Sequence, residues 1–250
     1  MRVIISPAKN MRIDNDTFAA SRLPVFLENT KKICRKIQGL SYDEAKRLWK
    51  CSDKIAQLNF MRFADMKLEQ DLTPAIMAYD GLQYMRMKPS VFTENALDFI
   101  IDRICILSAF YGVLYPFDGI VPYRLEMQAE LSVSGKHNLY DYWGDKLYKA
   151  VIDENDRTII NLASKEYSKA VKTYLKSDDT FITCSFGTIV NGKIKQKAAI
   201  AKMARGEMVR YIAENRINTP EKLKNFAEMG FSFDSAHSTD THYIFTDSES

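Results

Sequence analysis

The span Leu107–Met127, LSAFYGVLYPFDGIVPYRLEM, constrains this chain more than any other, because two prolines, two glycines and an Arg-x-Glu share one aromatic-rich run. An ordinary core helix is not written that way, since proline lacks the backbone donor and glycine loosens the chain. An apolar run that ends at Pro116, turns through Asp118-Gly119 and re-emerges as Val121-Pro122-Tyr123-Arg124 carries Arg124 and Glu126 straight out of buried material. A rigid scaffold presents a site in this manner.

Two other runs end on polar turns. Val3-Ile4-Ile5, closed by Ser6-Pro7, reads as a buried strand that delivers Ala8-Lys9-Asn10 into a loop. Thr158–Leu162 reads as a second buried strand, meeting Ala163-Ser164-Lys165-Glu166, so that Lys165 resembles Lys9 in placement. From Phe26 to Phe63 the apolar spacing is helical, interrupted at Gly39-Leu40-Ser41. Further helices are expected from Thr73-Pro74, from Thr93 through Ile106, from Leu139 to Ile152 and from Ala198 to about Ile217. Asn191-Gly192 between Phe181–Val190 and Lys193–Lys195 predicts a hairpin with a type I′ turn, and Phe231–Phe233 and His242–Phe245 read as terminal strands. The expected class is α/β (mixed α+β), one domain over 1–250, long enough to bury a core without staples.

The start MRVIISPAK lacks the parts of a secretory signal, and the longest apolar run, Ile104–Tyr115, falls short of the ~20 residues of a membrane span. A cytoplasmic protein with no membrane partner is the reading. Cys34, Cys51, Cys105 and Cys184 show no CxxC spacing and His137, His237 and His242 no metal-site spacing, so neither a protein-bound metal nor a cofactor is expected. No P-loop, GxGxxG or GxSxG occurs, and whether the chain is an enzyme stays open. The net charge is only +3, yet Lys165–Arg210 holds ten basic residues against four acids. After Phe233 no Lys or Arg occurs, and Asp234, Asp240, Asp247, Glu249 and the terminal carboxylate read as a solvated acidic end.

Three constellations could carry chemistry. Ile37–Leu48 has the spacing of a helix-hairpin-helix, in which a glycine turn before a helix N-terminus aims backbone N–H groups at a phosphate, with Lys46 and Arg47 adding charge. Ser41 stands where the second hairpin glycine is usual, and a plain helical corner through a glycine C-cap gives a similar string. Lys9, Arg124, Glu126 and Lys165-Glu166, interleaved with Tyr123 and Trp143, could line one cleft suited to phosphate and base stacking; a salt-bridge network is the other account. Lys202 and Arg205 share a helix face beside Gly206, an interior glycine costing roughly 1 kcal/mol relative to alanine. Close approach of a backbone or a ligand explains such a glycine, a simple packing contact equally well.

Assembled, these residues resemble the bacterial YaaA peroxide-stress family from one end of the chain to the other. The strings that carry the resemblance are Ser6-Pro7-Ala8-Lys9, Ser52-Asp53-Lys54 with Asn59, Leu107-Ser108, Tyr111–Leu114, Pro122–Met127, Trp143, Ile160–Ser164 with Glu166-Tyr167, and Ala204-Arg205-Gly206 with Met208. The resemblance implies a cytosolic protein of the peroxide response that limits damage from hydrogen peroxide and unincorporated iron, on a single-domain fold peculiar to the family. It further implies non-sequence-specific binding of double-stranded DNA through a helix-hairpin-helix and a positively charged cleft. On this chain the hairpin falls on 26–58, with Gly39, Ser41, Lys46 and Arg47 as phosphate contacts. The cleft falls on Lys9, Arg124, Glu126, Trp143, Lys165, Lys202 and Arg205.

Ala109, Tyr115, Leu82-Gln83 and Gln128 depart from the family pattern, Tyr115 replacing an arginine by a stacking surface. The runner-up is an enzyme acting on a nucleotide or nucleobase-like small molecule in the Lys9/Arg124/Glu126/Lys165 cleft, because Arg-x-Glu suits orientation of something smaller than a duplex. A purely structural protein leaves Lys9, Arg124 and Lys165 unexplained as a group.

Overall fold

In the computed structural model, which describes residues 1–247, the β-branched N-terminal run forms β1 (Arg2–Ile5), with Val3, Ile4 and Ile5 fully buried. Glu249 of the acidic tail lies outside the described residues. After β2 (Asn10–Met11), the periodic stretch becomes α1 (Leu27–Gln38), α2 (Tyr42–Trp49) and α3 (Asp53–Ala64). Short pieces follow: β3 (Thr73–Pro74), α4 (Ala75–Ala78), β4 (Tyr79–Asp80), α5 (Leu82–Met87) and α6 (Glu94–Ile100). Next come β5 (Ile104–Ser108), β6 (Gly112–Leu114), β7 (Gly119–Ile120), α7 (Leu139–Trp143) and α8 (Lys146–Val151). The last third holds β8 (Thr158–Leu162), α9 (Lys165–Lys172), β9 (Thr180–Val190), β10 (Lys193–Lys195), α10 (Ala198–Glu214), α11 (Pro220–Leu223), β11 (Phe231–Phe233) and β12 (His242–Asp247).

The class is mixed α/β, organised on one eight-stranded sheet in the order β11-β12-β9-β8-β1-β5-β6, with β10 paired to β9. β1 pairs in parallel with β5 on one side and β8 on the other, and β8–β9 and β9–β12 are also parallel. Strands are therefore added first to one side of β1 and later to the other, so the connections diverge between β1 and β8. In an open α/β sheet the crevice outside the carboxyl ends of two such strands is where a ligand fits. α10 packs on β9 together with α5 and α6, while α8 and α9 pack on each other and reach β6 and β5.

The hairpin is as the sequence predicts, with Asn191 and Gly192 at φ 51° and 71°. Other boundaries differ for physical reasons. The helix expected to run on to Ile106 stops at Ile100, because Ile104–Ser108 is a strand buried along its whole length, and periodicity cannot separate that from a buried helix. Gly144, at φ 52°, breaks the helix expected over Leu139–Ile152 into α7 and α8. Thr73-Pro74 starts no long helix but pairs with β7. Within the acidic end, His242–Asp247 is no solvated tail: β12 lies between β11 and β9, and the Asp247 carboxylate accepts a 2.6 Å hydrogen bond from Thr188 Oγ1.

Candidate functional site

The carboxyl ends of β1 and β8 are tied by two serines. Ser164 donates its N–H to Ser6 Oγ at 2.8 Å, and Ser6 Oγ donates to Ser164 Oγ at 3.2 Å. The Tyr84 hydroxyl donates to the Ser6 carbonyl at 2.9 Å, fastening α5 to the same point. A cavity of about 430 Å³ opens here, at the switch of strand order, lined by the Ser6–Asn10 loop, Asp80–Tyr84, Tyr123–Glu126, Ser164, Glu166, Tyr167, Lys202 and Arg205.

The Arg-x-Glu reaches this cavity by simple alternation. Tyr123, Leu125, Met127 and Ala129 are buried while Arg124, Glu126, Gln128 and Glu130 are not, the period-two pattern of an extended strip with one face on the core. Tyr123 anchors the strip: its hydroxyl lies 2.6 Å from Ser108 Oγ and 2.9 Å from the Tyr79 hydroxyl. Ser108 Oγ already accepts the Phe110 and Tyr111 N–H groups, so its own proton goes to Tyr123. Arg124 Nη2 stands 3.4 Å from Glu126 Oε1, and Lys9 Nζ 2.9 Å from Glu126 Oε2. The salt-bridge account thus holds for Lys9 and Glu126, and yet the arginine keeps an unused donor.

Arg205 is delivered by packing. Gly206 meets the backbone of α5, where an added Cβ would fall 2.0 Å from the Gln83 carbonyl oxygen, and Arg86 pairs with the buried Glu207 to pin the same two helices. Among the described residues, three buried donors on residues lining the cavity have no acceptor: Gln83 Nε2, Arg124 Nε and Arg205 Nε. Burial also works against the charge of Arg205. Glu166, on the same cavity, has its carboxyl pushed up by burial and then by Glu126 nearby, against hydrogen bonds from the Gln128 and Met127 backbone.

The structure brings Lys9, Arg124, Glu126, Lys202 and Arg205 together. Lys165 lies instead on a neighbouring cavity that shares Arg205. Trp143 is not a cleft residue: it is fully buried, donates Nε1–H to the Ala109 carbonyl at 2.9 Å, and packs under Gly112 and against Phe26, because a bicyclic apolar ring is worth more in the core than at a wet rim. Tyr115 is likewise away from both cavities, stacked under the Arg22 guanidinium with its centroid 4.3 Å away. The cavity residues that sequence reading passed over are Gln83, Tyr84 and Ser6 as a clamp, since nothing local marks residues that meet only through tertiary packing.

The corner between α1 and α2 does not have the form expected of a phosphate-binding hairpin. Gly39 adopts a right-handed φ of −80°, and its N–H is used by Arg35, that of Leu40 by Ile37. Ser41 and Glu44 form a reciprocal capping box, so the Glu44 carboxylate occupies the Ser41 N–H that a phosphate would take. Lys46 pairs with Asp53 at 2.7 Å, whereas Arg47 is exposed.

Among the described residues no group of three or more His, Cys, Asp and Glu could hold a metal ion, and no helix is long and apolar enough to cross a membrane. Burial pushes the thiols of Cys34, Cys105 and Cys184 up to about 11, 12 and 12. The thiolate is the species that reacts with peroxide. Folded protein exposed to hydrogen peroxide at neutral pH should therefore retain these three thiols, counted by alkylation after unfolding and mass spectrometry; oxidation of any of them as fast as a free cysteine would contradict this.

Over residues 1–237 the chain matches the family model described as peroxide stress protein YaaA. It is 49% identical over 245 residues to a UPF0246 protein of Ligilactobacillus salivarius, covering 98% of this chain and 99% of that protein. A UPF0246 protein of Pediococcus pentosaceus is 49% identical over 249 residues, with 100% and 99% covered, and one of Agathobacter rectalis 48% identical over 245 residues, with 98% of each covered. With a family model spanning nearly its whole length and relatives at about half identity end to end, the chain belongs to the YaaA peroxide stress protein family.

Proposed function

We propose that this is a cytoplasmic protein of the peroxide stress response whose working site is the cavity at the β1/β8 switch point, and that the cavity binds an anionic, nucleotide-like small molecule. The observation that carries the reading is the set of three buried donors without acceptors, Gln83 Nε2, Arg124 Nε and Arg205 Nε, on one cavity. A buried donor left unpaired is costly, so three on residues of one cavity favour a ligand rich in acceptors. The volume suits a molecule of nucleotide size, and the Tyr84, Tyr123 and Tyr167 side chains supply apolar wall. Whether the ligand is transformed depends on Glu166, whose raised pKa fits a proton donor or acceptor at the site. Protection from peroxide and from iron-driven damage would then act through nucleotides or nucleic acid rather than through thiol chemistry.

Calorimetric titration with a panel of nucleosides and nucleotides tests the reading, with saturable one-to-one binding of at least one nucleotide expected and heats no larger than buffer for the whole panel against it. The affinity should also depend on pH. Glu166 is neutral below its raised pKa and negative above it, so binding of an anion of fixed charge is expected to weaken as pH rises through that pKa. Affinity that stays flat from acid to neutral pH would show that Glu166 does not face the ligand.

A second reading, non-specific binding of double-stranded DNA, is favoured by a specific feature: Lys165, Lys169, Lys172 and Lys202 stand on the two cavities that meet at Arg205. These cations would track a phosphate backbone, and the affinity would fall with salt in proportion to the phosphates contacted. The α1–α2 corner could join such a surface through Arg47, with Gly39 and Ser41 contributing only if the capping box opens.

A further inference from the structure

On the other side of Arg205 lies a second cavity, of about 530 Å³, at the carboxyl end of β8. Its wall carries Lys165, Lys169 and Lys172 of α9, Arg205 of α10 and His242 of β12, with Asn161, Thr183 and Ser185 between them, and no carboxylate. Among the described residues none of the three lysines nor Arg205 takes part in an ion pair. Lys169 instead lies over the Tyr140 ring at 4.8 Å and Lys172 over the Phe181 ring at 6.0 Å. Four cations around one cavity repel each other, and among the described residues no carboxylate pairs with them.

The neutral groups suit the same guest. Asn161 Nδ2 donates to Thr183 Oγ1 at 3.2 Å, and His242 Nε2 is 2.8 Å from Ser185 Oγ. Burial, then Lys172, holds the His242 pKa below its ordinary value. The charged groups on the cavity wall are Lys165, Lys169 and Lys172 from α9 and Arg205 from α10, all cationic, so an incoming anion opposes the part of that effect due to Lys172. Arg205 lines both cavities and keeps its Nε without an acceptor, which makes it a bridge between them.

We propose that the second cavity holds the phosphoryl chain of a nucleotide whose nucleoside end occupies the main cavity, with Arg205 shared between the two halves. The ligand class is then a nucleoside di- or triphosphate. This rests on the main cavity being the ligand site, but the phosphoryl half can be tested alone with inorganic tripolyphosphate.

In titrations of the full chain at about 0.15 M salt, tripolyphosphate is expected to bind one to one. The double variant Lys169→Gln/Lys172→Gln, on an exposed face where folding is not at stake, should weaken it roughly tenfold or more. A nucleoside triphosphate should bind wild type roughly tenfold or more above its nucleoside and lose that advantage in the double variant. Tripolyphosphate should also raise the His242 pKa, read from its ring resonances by NMR. No tripolyphosphate binding, or binding indifferent to the double variant, overturns the inference. A nucleoside bound as tightly as its triphosphate overturns the inference while sustaining the main-cavity reading, and absence of any nucleoside or nucleotide binding removes both. Loss of affinity confined to a DNA duplex assigns the lysines to a backbone and overturns the small-ligand assignment.

Discussion

Replacing Gly206 by alanine should destabilise the protein by about 3 kcal/mol, lowering Tm by about 6–12 °C for a chain of this size. In an ordinary helix interior the same change is stabilising, by roughly 1 kcal/mol, because alanine loses less conformational freedom. The sign is reversed here by contact with backbone: the new methyl group would stand 2.0 Å from the Gln83 carbonyl oxygen, and α5, held through Tyr84 to the Ser6 carbonyl, cannot retreat without disturbing the strand clamp. Thermal unfolding followed by circular dichroism measures this. A Tm equal to or above that of wild type would mean that the α5–α10 approach is looser than described. Because Gly206 neighbours Arg205, whatever variant remains folded should also bind ligand less tightly.

Arg124→Met should separate affinity from stability. The arginine side chain is only 10% exposed, among the described residues its Nε has no acceptor, and its ionic partner Glu126 is also held by Lys9 at 2.9 Å. Methionine fills similar volume with no buried unpaired donor left behind, so Tm is expected to stay the same or rise. Nucleotide affinity should fall by roughly 10- to 100-fold, the worth of one or two charge-assisted hydrogen bonds. Equal losses of Tm and affinity would make Arg124 a structural residue, and unchanged affinity would remove it from the site.

Much of this architecture could be read along the chain. The Asn191-Gly192 hairpin, the strands at Val3–Ile5 and Thr158–Leu162, and the placement of Lys9 and Lys165 just beyond two strand ends all followed from local chemistry. That those two strands are neighbours, so that the loops after them meet, is a fact of topology that no local pattern encodes. The same limit explains Ile104–Ser108, where an unbroken apolar run suits a helix or a central strand equally, and Trp143, whose aromatic character fits a stacking surface as well as a core. The interior glycine at 206 pointed to a close approach, and the partner turned out to be backbone rather than ligand. At the α1–α2 corner the string of residue types was legible, but that Glu44 folds back onto Ser41 as a capping box was not read from it.

The strip from Tyr123 to Glu130 makes the distance along the chain itself a functional quantity. Its residues alternate strictly between the core and the outward face that carries Arg124 and Glu126, anchored at one end by Tyr123 on Ser108 and Tyr79. Exchanging one side chain alters a single contact, whereas inserting or deleting a single residue would send every later side chain to the opposite face, putting Glu126 into the core and Met127 into the cavity. The site should therefore accept many point changes yet no change of length at this place, a constraint written in spacing rather than in residue type.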